Sequence, residues 1–378
     1  MAMTAAAGSL LERFRSIDDP RIERTRQHIL LDILAIAVCA TICGAEGFTD
    51  YADYGRAKHA WLRTFLELPN GIPSHDTFGR VFGMLNPKTF EACFLAWTSE
   101  IAERLSGQHV AIDGKTVRGS LDQRSGTPAL HVVSAWAAEQ RLVLAQSSSG
   151  DTASGHGNEH EQIPALLEML VLKGAIVTID AAGAYVPIVA AITEQKGEYL
   201  IALKQNQPTL HAEAVAAIAA MRAGEHPRVA QGSDQQVDKG HGRIEIRRCF
   251  VIESARARSD QWPKLRSYVL VESERHIGTT ITVEQRYYLT SLPAEAHVIN
   301  RLIRAPWGIE NSVHWVLDVV MGEDANRTRV DRAPKNLALM RKCVLNLLRR
   351  ETSSKRGIKG KQKNAAWDHA YLLKILTN

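Results

Sequence analysis

The chain reads as a mixed α/β protein in three parts: an all-helical N-terminal region, an α/β core interrupted by a mainly β insertion, and a return to helices. Three observations predict this. Apolar residues recur at helical spacing through the first hundred or so positions. From residue 108 short apolar runs alternate with helical stretches, the signature of an α/β core. Between residues 243 and 292 three further strand-like runs follow with no helix among them. The expected segments are 1–105, 106–206, 207–295, 296–350 and a basic tail, 351–378.

In the N-terminal region Ser9–Ile17 places Leu10, Leu11 and Phe14 on one side of a short helix that Asp18-Asp19-Pro20 stops. Ile29–Cys43 is an apolar helix of fifteen residues containing Asp32, too short to span a bilayer and better suited to a core. Tyr51–Leu66 is the next helix. Pro73-Ser74 then looks like a helix start with Ser74 as cap. Phe78, Val81, Phe82 and Leu85 form the stripe of that helix and leave His75, Thr77 and Arg80 exposed. Such a face fits the second helix of a helix-turn-helix, whose first turn reads bases. Phe90–Leu105 closes the region.

The core opens with HVAIDGKTVRGS, His109–Ser120. It reads as a buried strand over 109–113 ending in a carboxylate, a Gly turn at 114, then the polar residues Lys115, Thr116 and Arg118. Val110 and Ile112 point to one face, Ala111 and Asp113 to the other. Leu130–Ala137 and Arg141–Ser147 form a hairpin; a Gly/Ser loop and a helix over 159–172 follow. Ala175–Asp180 is a second buried strand ending in Asp, followed by a helix at Val186–Gln195 and a strand at Tyr199–Lys204. The strands ending in Asp113 and Asp180 can be parallel neighbours, about 4.8 Å apart, so that both carboxylates leave one end of the sheet. Beyond the insertion come helices at Ala296–Arg304, Trp307–Val320 and Asn336–Arg350, then a flexible cationic run, Lys355–Lys363.

A hydrophobic fraction of 45%, a charged fraction of 23% and a net charge of +5 describe an ordinary soluble, mildly basic chain. Five scattered cysteines without C-x-x-C spacing read as free thiols in a reducing compartment and exclude a zinc module or disulfide frame. No secretory leader is read in MAMTAAAGSLLERF, so the expected location is cytoplasmic, with no membrane partner.

Two strand-end aspartates and a helix-borne glutamate would make a hard oxygen site for Mg²⁺, with Mn²⁺ able to substitute. The glutamate chosen is Glu310, which shares a helix face with Val313, His314 and Leu317; Asp318, Glu323 and Asp324 are its rivals. Two such ions suit phosphoryl transfer. Lys115, Arg118, Lys204, Arg243 and Arg304 are candidate DNA contacts around the site, with Arg247, Arg301, Arg327 and Arg329 near them. Trp307 and Trp315 flank Glu310 as core anchors or stacking surfaces. HGNEH, 156–160, matches an inverted zinc-peptidase signature, but the glycines around His156 place it in a loop, against zinc chemistry.

The runs AIDGKTVRGS, LHVVSAW, KGAIVTIDA, YLIALKQNQ, HGRIEIRR, YYLTSL and WGIENSVHWVLDVVMGEDANRTR resemble, in order, the ISAs-type insertion-sequence transposases, which include the H-repeat-associated proteins. The resemblance runs from about residue 10 to 350. It implies an RNase H-like catalytic core of the DDE superfamily, with Asp113, Asp180 and Glu310 as the catalytic acids and metal ligands. It also implies cutting at the ends of the element, transfer of the 3′-OH into target DNA, and inverted-repeat recognition by the N-terminal helices. A location at the nucleoid and a homodimer pairing two ends would follow. Three positions depart from the pattern: Pro306 stands where the family has His, Tyr185 where it has Gln, and HGNEH where it has KSNEI. The alternatives are a catalytically silent DNA-binding protein acting at inverted repeats and a general RNase H-like nuclease.

Overall fold

The structure is a computed structural model and describes residues 10–102, 108–148, 159–225, 228–240, 242–254, 261–304 and 306–377. Among them nine strands form one mixed sheet: β1 (His109–Val117), β2 (Leu130–Ala137), β3 (Leu142–Ser148), β4 (Ile176–Ile179), β5 (Glu198–Leu203), β6 (Gln231–Gly240), β7 (Arg243–Glu253), β8 (Ser267–Ile277) and β9 (Thr280–Thr290). Their order is β3-β2-β1-β4-β5-β9-β8-β7-β6. β1, β4 and β5 run parallel; the other pairings are antiparallel.

Alternation along β1 divides the core as expected. Val110 and Ile112 join a cluster with Ile163, Leu166, Ile188 and Val189, from the helices Glu159–Glu168 and Val186–Glu194. Ala111 faces the opposite cluster, which holds Ile309, Val313 and Leu317 together with the N-terminal helices. The helix Leu30–Ile42 is apolar all round and lies buried there. Its Asp32 accepts the Leu68 amide at 2.9 Å. Ser74 caps the helix His75–Met84 through the Thr77 amide, and Phe78, Val81 and Phe82 are buried. The preceding helix ends at Leu62, twelve positions before Ser74. A helix-turn-helix needs a turn of about 3–4 residues, so the expected turn is replaced by a long connection.

Two expectations about extent are corrected. β1 runs straight through Asp113-Gly114 to Val117, because antiparallel pairing with β2 continues to Leu130; there is no turn at Gly114. The mainly β insertion continues the core's own sheet, since β9 pairs with β5. Its strand β6, QGSDQQVDKG, carries one apolar residue and shows no strand pattern in sequence; ten residue pairings to β7 hold it. The cationic run is not a flexible tail. From Ile358 on it lies in the helix Ile358–Trp367, which with His369–Leu376 contributes Ala365, Leu372, Ile375 and Leu376 to the N-terminal core cluster.

The helix Ala333–Arg350 binds these parts together. Asn336 donates to the Phe82 and Leu85 carbonyls at 2.7 and 3.0 Å. Asn346 accepts the Val143 amide at 2.9 Å and donates to its carbonyl at 2.8 Å. Those bonds occupy the outer edge of β3, which would otherwise be an open template for another strand. All five cysteines are unpaired. Among the described residues no helix is long and apolar enough to cross a membrane.

Candidate active site

The parallel register His109↔Ile176 to Ile112↔Ile179 makes Asp113 and Asp180 the next residues on adjacent strands. Both carboxylates therefore sit at one end of the sheet. Asp180 accepts the Ala182 amide at 3.0 Å and caps a short 3₁₀ turn. Opposite the Asp113 face runs the segment Pro306–Val320, which winds as α-helix to Ile309 and then as π-helix. The Trp315 amide reaches the Glu310 carbonyl and the Met321 amide the Val316 carbonyl, both i to i+5. Such widened turns are frequent at functional sites.

Asp113, Glu310 and His314 each place one ligand atom within 4.8 Å of the others. His314 Nδ1 is 3.1 Å from Glu310 Oε2 and 3.6 Å from Asp113 Oδ2. Asp180 is the register neighbour of Asp113 but is not in this cluster. Burial, then Asp180, Glu310 and Glu159, push the Asp113 carboxyl up to about 7. Asp180 is raised by burial and by Glu159, while Lys204 pulls the other way. Burial lowers His314, against the hydrogen bond it shares with the Glu310 carboxylate and that group's charge. Nε2 is buried without a partner, so either tautomer leaves one buried ring nitrogen unsatisfied. Nδ1 is placed to bond Glu310 or to join it in holding a cation. The carboxylate donor set fits a hard divalent cation.

In the sequence Glu159 shows as the start of the helix over 159–172 and as the Glu that HGNEH shares with KSNEI, with no mark of a place at the site. It starts the helix Glu159–Glu168 and bonds His131 Nε2 at 2.9 Å. That bond holds its carboxyl below the usual range. A Cβ on Gly114 would run into Glu159 Oε1 and stand 2.7 Å from His131 Nε2. A side chain at 114 would therefore displace the Glu159 carboxylate or the His131 ring. His160 meets the Tyr185 ring edge-on at 4.7 Å. His156 lies outside the described residues.

Lys115, expected at phosphate, is instead held inside by Asp318 and by Glu323, the latter at 2.5 Å. It lies two residues beyond Asp113 on the same strand face, and Asp318 lies on the helix of Glu310, so the pair locks that helix to β1. Glu323 is buried; burial raises its pKa, but Lys115, Lys342 and Arg341 outweigh this and leave it lowered. Asp318 and Glu323 are therefore internal partners of a lysine, neither solvated charge nor rivals of Glu310.

The remaining expected contacts scatter. Arg118 is exposed, 3.9 Å from Asp324. Lys204 is exposed at the end of β5, near Asp180. Arg243 is exposed at the start of β7, and Arg304 pairs with Asp238 at 2.6 Å. Arg247 is buried beside Glu245. His75, Thr77 and Arg80 lie on the capped helix, His75 and Arg80 exposed and Thr77 partly buried against Ser74. The side chains of Pro306 and Trp307 lie outside the described residues.

Two family models match the chain: "DDE_Tnp_1-associated" over residues 11–98 and "Transposase DDE domain" over residues 104–347. The chain is 36% identical to "Putative transposase YncI" of Escherichia coli O157:H7, over 98% of this chain and 95% of that protein. It is 34% identical to "H repeat-associated putative transposase YhhI" of E. coli K12, over 97% of each. It is also 41% identical to an "Uncharacterized protein in dhlA 3'region" of Xanthobacter autotrophicus, over 78% of this chain and all of that one. A site of acids at one sheet end and a match across both parts of the chain agree: this protein belongs to the DDE transposase family, with the H-repeat-associated transposases among its relatives.

Proposed function

We propose that the chain hydrolyses a DNA phosphodiester at the ends of its insertion sequence and joins the freed 3′-OH to target DNA, on an RNase H-like core. The observation that carries this reading is the convergence of Asp113, Asp180 and Glu310 on one end of the sheet, with Asp113 and Glu310 in ligand reach. Asp113 and Asp180 would share the cations and Glu310 would complete the second, with Mg²⁺ the expected ion and Mn²⁺ a substitute. A bound divalent metal supplies activation of the attacking oxygen and stabilisation of the leaving one.

The chain's own residues do the rest. The His314 N–H orients Glu310, and the Lys115–Asp318 pair fixes the distance between strand and helix. Lys204, exposed near Asp180, and the exposed Arg118 would receive phosphates. Residues 11–98, with His75, Thr77 and Arg80 foremost, would recognise the inverted repeats. Two copies would pair two ends at the nucleoid, in the cytoplasm.

The test is a cleavage and strand-transfer assay on DNA carrying the native flanking ends, in Mg²⁺ and in Mn²⁺. Wild type should cut and join at the ends, while Asp113→Asn and Glu310→Gln should lose both yet still shift the DNA. Normal cutting by either variant would refute the site. Tight end binding with no cutting by wild type would make the chain a silent DNA-binding protein, and cutting without end preference a general nuclease.

A further inference from the structure

Behind the helix of Glu310 lies a cleft of about 590 Å³, within the size range of small-molecule sites. Its walls carry five cationic side chains: Arg141, Arg349, Arg356, Lys359 and Lys361, with no acidic residue among the described lining. Trp315 also lines it and is 53% exposed, although it sits on a helix whose neighbours Val313 and Leu317 are buried. Arg141, Arg356 and Lys359 are exposed. Arg349 stacks on Trp136 at 4.3 Å and donates to the Ser312 and Arg141 carbonyls, so its guanidinium is fixed at the cleft wall. Burial and the nearby Arg141 push Arg349 down to about 9. Lys361 is buried, and its ammonium donates to the Leu348 carbonyl at 2.9 Å and to the Glu351 carbonyl, so it belongs to the cleft wall. The cations that face solvent are Arg141, Arg356 and Lys359, and three like charges at the mouth of a cleft without acids suit an anion.

We propose that this cleft binds an unpaired nucleotide of the processed DNA strand, its phosphate among the cations and its base on the Trp315 indole. Trp315 lies on the same helix as Glu310, and a helix is about 10–12 Å across. A strand passing round that helix from the acids covers about 16–19 Å, half its circumference, and so reaches the cleft within a few nucleotides. A lone inorganic anion would not use an exposed indole or a cleft of this size; a nucleotide uses both. The proposal rests on the transposase reading for its DNA, but its failure is separable.

The experiment uses the full chain carrying Asp113→Asn, so that DNA is bound without being cut. Fluorescence anisotropy compares an end duplex with a five-nucleotide single-stranded flank, the same duplex blunt, and the flank with abasic sites. The flanked duplex should bind at least roughly tenfold more tightly than the blunt one. Trp315→Ala and the double variant Arg356→Ala/Lys359→Ala, each melting within a degree or two of the parent, should remove that advantage and leave blunt binding unchanged. Equal binding of blunt and flanked DNA overturns the proposal. So does an abasic flank that binds as well as a normal one, or a loss that is equal on blunt DNA. Quenching of tryptophan fluorescence by thymidine monophosphate with no preference for flanked DNA would mark a small-molecule site and also overturn it. If end-specific binding and wild-type cutting persist in any of these cases, the transposase reading stands alone.

Discussion

Burial and three neighbouring acids push the Asp113 carboxyl up to about 7, so its ionisation at neutral pH opposes folding. The sign follows from linkage: a carboxyl whose folded pKa is raised adds most stability below its unfolded pKa, near 4, and this is lost as pH rises through about 7. Asp113→Asn should therefore raise the metal-free Tm at pH 8 by a few degrees, on the scale of about 2–4 °C per kcal/mol. At pH 4 the difference should shrink to nothing. Thermal melts at the two pH values read this, and an unchanged or lower Tm at pH 8 would contradict it. Asp113, Asp180 and Glu310 were picked out in the sequence because an Asp closing an apolar run and an amphipathic helix leave local patterns. His314 was legible only as a neighbour of Glu310, and Glu159 hardly at all. Their roles depend on which strands pair and how close Gly114 lets a helix come, which no local pattern records.

The π-helical stretch Glu310–Val320 sets the direction of the third acid. Its sequence, ENSVHWVLDVV, reads as an ordinary amphipathic helix, and the extra residue in each turn leaves no compositional trace. Deleting Asn311 should restore i to i+4 bonding and turn Glu310 by about 100° relative to Val313 and Leu317. Helical content by circular dichroism should persist while Mn²⁺ affinity and end cutting fall at least roughly tenfold, as expected when a ligand leaves its site. Near-normal cutting would show that the widened turns are dispensable. At the same scale β6 escaped sequence reading because a strand with exposed residues on alternate positions of a polar run has no core pattern to display.

Across the whole molecule the last residues belong to the first ones. The run Lys355–Lys363 suggested a solvated tail by charge, but the apolar spacing from Ala365 to Leu376 carries it into the N-terminal core. Buried Glu351 ties this segment in: it accepts from Tyr371 Oη at 2.6 Å and from the Ser353 amide at 2.8 Å. Despite burial, the bonds from Ser353, Tyr371 and Ser354 hold its carboxyl down at about 2. A chain ended after Ser353 would bare Leu372, Ile375 and Leu376's side of the core and remove the Tyr371 partner. It should melt roughly 10 °C or more below wild type, or fail to stay in solution. A truncated chain with an unchanged Tm would mean that the terminal helices are an accessory.

The pairing of β9 with β5 stops at Tyr287↔Leu203, at the same sheet end as Asp113 and Asp180, while Thr280–Arg286 and their partner strands continue beyond it. Seven residues of strand reach about 23 Å. Along a duplex that is about seven base-pair steps at 3.4 Å each. On the cleavage proposed above, an arm of that length, leaving the sheet end that carries Asp113 and Asp180, would act as a ruler that sets how far from the cut a second grip on the duplex falls.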